Sequence, residues 1–181
     1  MQNWKTRITK LSFLIGIVGT IMLFVSACSN NKQSSTNDGK ISIVTSTNVY
    51  ADIAKNIVGK YGSAKAIIKN SATDPHDFEP TTQDAKELSS ANIIVANGLG
   101  YDSWMNKLAS SVDKKPVLVG EDLMKLKKGA NPHIWYNLSM PTEYVDYLVK
   151  RLAKIDSQHK AYFEANGKKY TPEEISAKIL S

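Results

Sequence analysis

The sequence predicts an α/β domain: a parallel sheet flanked by helices, followed by a helical C-terminal segment. Three observations predict it. Short runs rich in β-branched apolar residues recur along residues 40–122, helix-patterned stretches separate them, and from Met140 onward the apolar residues keep helical spacing. Strand and helix alternate at least three times, the pattern of parallel strands joined by crossover helices.

Each element has a local reason. Residues 40–47 (KISIVTST) alternate and are β-branched, so they read as a strand. Asn48 is placed to cap a helix running through VYADIAKNIV, with Gly59 near its end. Residues 64–70 (AKAIIKN) give a second strand, and 71–80, with Pro75 and Pro80, a loop. Thr81 and Thr82 start a short helix. Residues 92–98 (NIIVANG) form an apolar strand stopped by Gly98, 101–112 a helix, and 116–122 (PVLVGED) a further strand. Val145, Leu148, Val149, Leu152 and Ile155 then mark the buried stripe of a helix. Residues 158–170 make another, interrupted at Gly167. Thr171-Pro172-Glu173-Glu174 has the form of a capping box with proline at the first helical position.

The N-terminus reads as an address. Lys5, Arg7 and Lys10 precede an apolar run at 11–25, and the small residues Ser26 and Ala27 precede Cys28. At about 1.5 Å per residue that run spans roughly 22 Å, short of the ~30 Å hydrocarbon layer, which favours a cleaved signal peptide over a transmembrane helix. Val25-Ser26-Ala27-Cys28 also looks like a bacterial lipobox, so Cys28, the single cysteine, is the expected lipidation site and membrane anchor. Residues 29–40 lack apolar side chains and read as a flexible tether. The expected organisation is a signal peptide at 1–27, a tether at 28–39, an α/β lobe at 40–139 and a helical segment at 140–181.

Charge excludes one class of partner. The net +6 falls once residues 1–27 are set aside, because they hold three basic residues and no acid, leaving 20 basic against 17 acidic. With no arginine-rich helix and no aromatic RNA-binding patch, nucleic acid is not an expected partner. Enzyme signatures are also missing: the sequence has no phosphate-binding glycine loop, no Gly-x-Ser-x-Gly elbow and no HExxH helix.

Chemistry concentrates on the histidines. Two of the three follow the same kind of dipeptide, in Asp74-Pro75-His76 and Asn131-Pro132-His133. Proline fixes its own φ and pushes the preceding residue toward extended backbone, so both histidines sit on stiffened turns. A stiff turn suits a metal ligand, since its ordering is not charged against binding. Both turns follow strands, where folds of this class bind ligands. Asp74, Asp77 and Glu79 could orient an imidazole or cap the next helix. His159 lies on a polar stretch and is expected to be solvated, and Trp104 and Trp135 to pack in the core or at its edge.

At these residues a family becomes visible. Asp74-Pro75-His76-Asp77-Phe78-Glu79-Pro80, the run Asn92 to Gly98 with Asp102 and Trp104, and Asn131-Pro132-His133-Ile134-Trp135 resemble the zinc/manganese-binding lipoproteins that serve ABC importers, some of which have been called adhesins. The similarity runs from the lipobox to about Tyr170. It implies one lobe of a two-lobed metal-binding protein, with a single ion held between lobes joined by a long helix. His76 and His133 match the two ligands of the N-terminal lobe. The other two, a His or Glu and an Asp or Glu, come in the family from a C-terminal lobe, which this chain is expected to lack. Family members run to about twice the mature length, and Gly167 and Pro172 stand where they carry a continuous helix. The expectation is therefore a truncated chain whose residues 140–181 begin the inter-lobe linker.

The function implied is capture of Zn2+ or Mn2+ as transported cargo for an ABC permease, on the extracytoplasmic face of a Gram-positive cell membrane. Imidazole nitrogen suits zinc better than manganese. Binding should weaken as pH falls through the ordinary histidine pKa of about 6.5, where protons compete for the same nitrogens. A different reading is a surface adhesion or interaction lipoprotein with a vestigial metal site, which would bind its partner equally well with chelator present. A metallohydrolase half-site using Asp77 or Glu79 as base has nothing in the spacing to favour it.

Overall fold

A computed structural model of the chain describes residues 40–70 and 72–170. The signal peptide, Cys28, the tether and the Thr171–Glu174 capping box lie outside the described residues. Four parallel strands form one sheet: β1 (Ile41–Thr47), β2 (Gly62–Ile68), β3 (Ile93–Ala96) and β4 (Val117–Leu118), in the order β2-β1-β3-β4. The fold class expected from the sequence is the one observed.

Alternation along the strands sends side chains to two cores. Ile41 and Ile43 of β1 and Ile93 and Val95 of β3 face one side, while Val44, Ile94 and Ala96 face the other. The first core is closed by α1 (Asn48–Val58), α4 (Ser139–Ile155) and α5 (Lys160–Gly167), through Tyr50, Ile57, Tyr144, Leu148, Leu152 and Phe163. The second is closed by α2 (Thr82–Ser90) and α3 (Ser103–Ser111), through Leu88, Trp104, Met105 and Leu108. Coverage on both faces explains why β3 reads as an apolar run and why Thr45 and Ser46 of β1 are buried with its aliphatic residues.

Several boundaries differ from the sequence reading. Thr47, not Asn48, occupies the position preceding α1, and it makes no side-chain capping bond. Gly59 ends α1 as expected, at φ +52°. Strand β2 begins at Gly62 because β1 begins at its partner Ile41. The expected strand at 116–122 stops at Leu118, where the Asp122 carboxylate accepts from the Leu118 amide at 2.9 Å and the chain turns into a π-helical loop over Val119–Leu123. Thr81 caps α2 in a reciprocal box with Asp84, so Asp77 and Glu79 are not needed there. Ile155 is exposed at 37%, because α4 ends there and the chain turns away at Asp156.

The strand order places a topological switch between β1 and β3: the chain leaves β1 toward β2 on one side and returns to β3 on the other. The carboxyl ends of those two strands border the crevice in which open α/β sheets bind ligands.

Candidate metal centre

Both Asx-Pro-His turns lie at that rim and have the same backbone construction. In the first, Asp74 Oδ1 accepts the His76 amide at 2.9 Å; in the second, Asn131 Oδ1 accepts the His133 amide at 2.9 Å. These are Asx turns, closed by the side chain of the residue before proline. Each proline carbonyl in turn accepts from a buried side chain. Trp104 Nε1 donates to Pro75 O at 3.0 Å, and Asn97 Nδ2 to Pro132 O at 3.0 Å. The backbone of each turn is thus held at two points, while both histidines stay exposed.

The two rings meet a common neighbour. Tyr101 lies edge-on to His76 at a centroid distance of 5.0 Å and to His133 at 6.0 Å. Trp135 packs on His133 at 5.1 Å and on Tyr101 at 5.0 Å, and Tyr136, 80% exposed, extends this aromatic wall. The structure therefore places both histidines singled out by sequence against the same tyrosine. Beside them a cleft of about 360 Å³ opens between the wall and the ends of β1 and β2, lined by Thr47, Asn48, Ile68, Asn70 and Pro75.

Asn131 Oδ1 also lies 2.7 Å from His133 Nδ1, and a carbonyl oxygen can only accept, so Nδ1 carries the hydrogen and, in the neutral ring, Nε2 keeps the lone pair. Asp74 is committed to the backbone of its turn rather than to an imidazole. Burial, then the charges of Asp74 and Asp102, raise the Tyr101 pKa and keep it a phenol. The negative potential that opposes a phenolate here also favours a cation.

Beneath the rim lies a polar network that sequence reasoning missed. Asn97 and Asp102 are almost fully buried at the end of β3. The Asp102 carboxylate accepts from the amides of Asn97 at 2.6 Å and Gly98 at 2.9 Å instead of capping α3. Burial raises its pKa above the ordinary 3.8, and those same amides oppose the rise. Tyr50 donates its hydroxyl to Asn97 Oδ1 at 2.5 Å, and Tyr144 donates to Tyr50 O at 3.2 Å. Burial, reinforced by Asp102, raises the Tyr50 pKa far above its ordinary value, so it remains a donor. Gly98 turns the chain at φ +82°, and a β-carbon there would collide with the Glu121 carboxylate. The sequence signal for this network was the run Asn92 to Gly98 with Asp102, which carried the resemblance without showing what these side chains bond.

His159 is only partly solvated. Its ring stacks on Tyr61 at 3.7 Å, and its Nδ1 pairs with Asp156 at 2.7 Å. Among the described residues, no three His, Cys, Asp or Glu side chains come together as a metal-binding group.

The comparisons agree with the geometry. Residues 43–177 match the family described as zinc-uptake complex component A, periplasmic, and the chain belongs to that family. It is 34% identical to the metal ABC transporter substrate-binding lipoprotein SsaB of Streptococcus sanguinis, over 89% of this chain and 56% of that protein. It is 32% identical to the manganese ABC transporter substrate-binding lipoprotein PsaA of Streptococcus pneumoniae serotype 4, over 85% of this chain and 56% of that one. Among solved structures, the metal-dependent lipoprotein YcdH of Bacillus subtilis superposes with a TM-score of 0.67 at 25% identity, covering 78% of this chain and 54% of its own. A manganese-bound periplasmic metal-binding protein of Candidatus Liberibacter asiaticus shares the fold, with a TM-score of 0.66 at 24% identity over 78% of this chain and 55% of that one. The chain spans about half the length of the curated relatives it matches.

Proposed function

We propose that this chain is a lipid-anchored, non-catalytic metal-binding protein that captures Zn2+ or Mn2+ as cargo for an ABC permease, with His76 and His133 as ligands. The observation that carries the proposal is the meeting of two identically built Asx-Pro-His turns on Tyr101, with backbones fixed and rings exposed. Family membership and the names of the relatives support metal as the cargo, and the Nε2 lone pair of His133 supplies the chemistry. Two imidazoles fill half of a four-coordinate shell, so the remaining positions fall to water or to groups outside the described residues. Imidazole ligation favours zinc over manganese. Cys28 supplies the lipid attachment on the extracytoplasmic face, and residues 28–39 the tether.

Calorimetric titration of the full chain in detergent micelles with zinc chloride tests the reading. Binding is expected to weaken on acidification, as protons compete for the ring nitrogens. The His76→Ala/His133→Ala double variant is expected to bind at least about 100-fold more weakly, since it leaves no imidazole at the rim. A titration that the double substitution leaves unchanged would falsify the assignment.

A further inference from the structure

The metal reading leaves open what sets the two imidazoles relative to each other, since their turns lie far apart in sequence and share no direct bond among the described residues. Both prolines answer to one short stretch of chain. Asn97 ends β3 and Trp104 opens the second residue of α3, seven positions on, and each donates one hydrogen bond to the carbonyl immediately before a histidine. Both side chains are buried, at 0% and 8% exposure, so neither donor has water as an alternative partner. Asn97 is held from every side: its amide on Asp102, its Oδ1 under the Tyr50 hydroxyl, its Nδ2 shared between Gly98 O and Pro132 O. No isosteric side chain both accepts from Tyr50 and donates to two carbonyls. Trp104 is wedged by Phe78, ring to ring at 4.7 Å.

The structure assigns the segment 97–104 as the jig of the metal site: Asn97 is the positioning residue of His133, and Trp104 that of His76. This rests on the proposed metal reading and deepens it. Neither side chain touches the metal position. Each acts through a proline carbonyl, which fixes the plane of the following peptide and hence the origin of the histidine side chain.

A crossed double-mutant cycle tests the assignment, using the full chain in micelles, zinc chloride, and the imidazole NMR resonances, which report even weak binding ring by ring. Asn97→Leu is expected to weaken zinc binding about tenfold, the scale on which residues supporting a ligand act. That loss should vanish in a His133→Ala background and persist in His76→Ala. Trp104→Phe, which removes the donor and keeps most of the volume, should show the mirror image: its loss vanishes with His76→Ala and persists with His133→Ala. Equal losses in both backgrounds, or none, would overturn the assignment, because a general loosening of the core does not distinguish the histidines. Should Asn97→Leu fail to fold, Asn97→Asp keeps an acceptor for Tyr50 and is read through the same difference between backgrounds. If zinc moves neither the His76 nor the His133 resonance in the parent chain, the metal reading itself falls; if it moves both but the losses do not cross, only the jig does.

Discussion

The rim histidines and His159 show two opposite uses of one residue. At the rim the support falls on the main chain of the turn, through a carboxylate or amide oxygen, a proline and a buried donor, with the rings exposed and only His133 Nδ1 engaged, by Asn131. At the α4–α5 corner the ring itself is committed, one face to Tyr61 and one nitrogen to Asp156. What separates the two is their surroundings: the rim histidines are exposed and share Tyr101, whereas the His159 ring is half-buried and covered on one face by Tyr61. The difference teaches that buried supporting residues can fix the backbone of a histidine while its ring stays exposed. It also explains why three histidines of similar polarity in sequence have different fates.

The sharpest way to break this contrast is to disturb the support on one side only. Gly98→Ala places a side chain at φ +82° and against Glu121, at a cost of about 2–4 kcal/mol from backbone strain and displacement. Chemical denaturation should show that loss, with imidazole resonances of His76 and His133 broadened and those of His159 unmoved; broadening confined to His159 would reverse the contrast. His159→Ala should act the other way. It removes a stacked ring and a partly exposed hydrogen bond to Asp156, together about 1 kcal/mol, and should leave zinc titrations of the parent and variant superimposable.

The smallest effect sharpens the comparison through pH. Burial raises the Asp102 pKa, so its proton is held more tightly in the folded chain than in the unfolded one. Asp102 by itself therefore makes stability fall as pH rises from about 3.8 through its folded pKa, and adds stability as pH falls. Denaturation midpoints of parent and Asp102→Asn, compared across that range, should show the parent gaining on the variant toward acid. A difference independent of pH would remove Asp102 from the titrating groups beneath the rim.

Much of the fold was legible. Strand β3 is covered on both faces, so Ile93–Ala96 read as an unbroken apolar run, while β1 was legible from the alternation of Ile41 and Ile43 with Ser42 and from its β-branched residues. The Thr81–Asp84 box set the start of α2 by bonds no longer than three residues. Where sequence reading erred, longer-range contacts decided. The expected strand at 116–122 had the right composition, but Asp122 folds back on Leu118 and the loop must clear Leu99, which crowds Gly120. His159 looked solvated because Tyr61, its stacking partner, is far away in sequence.

By itself, then, the sequence determined the alternation of strand and helix, the two stiffened Asx-Pro-His turns and the family they resemble, because these depend on periodicity and on bonds within a few residues. Tertiary structure alone decided that both turns open on Tyr101 and hang from Asn97 and Trp104. Those contacts join residues 25 to 35 positions apart, across a sheet whose strand order no local pattern encodes.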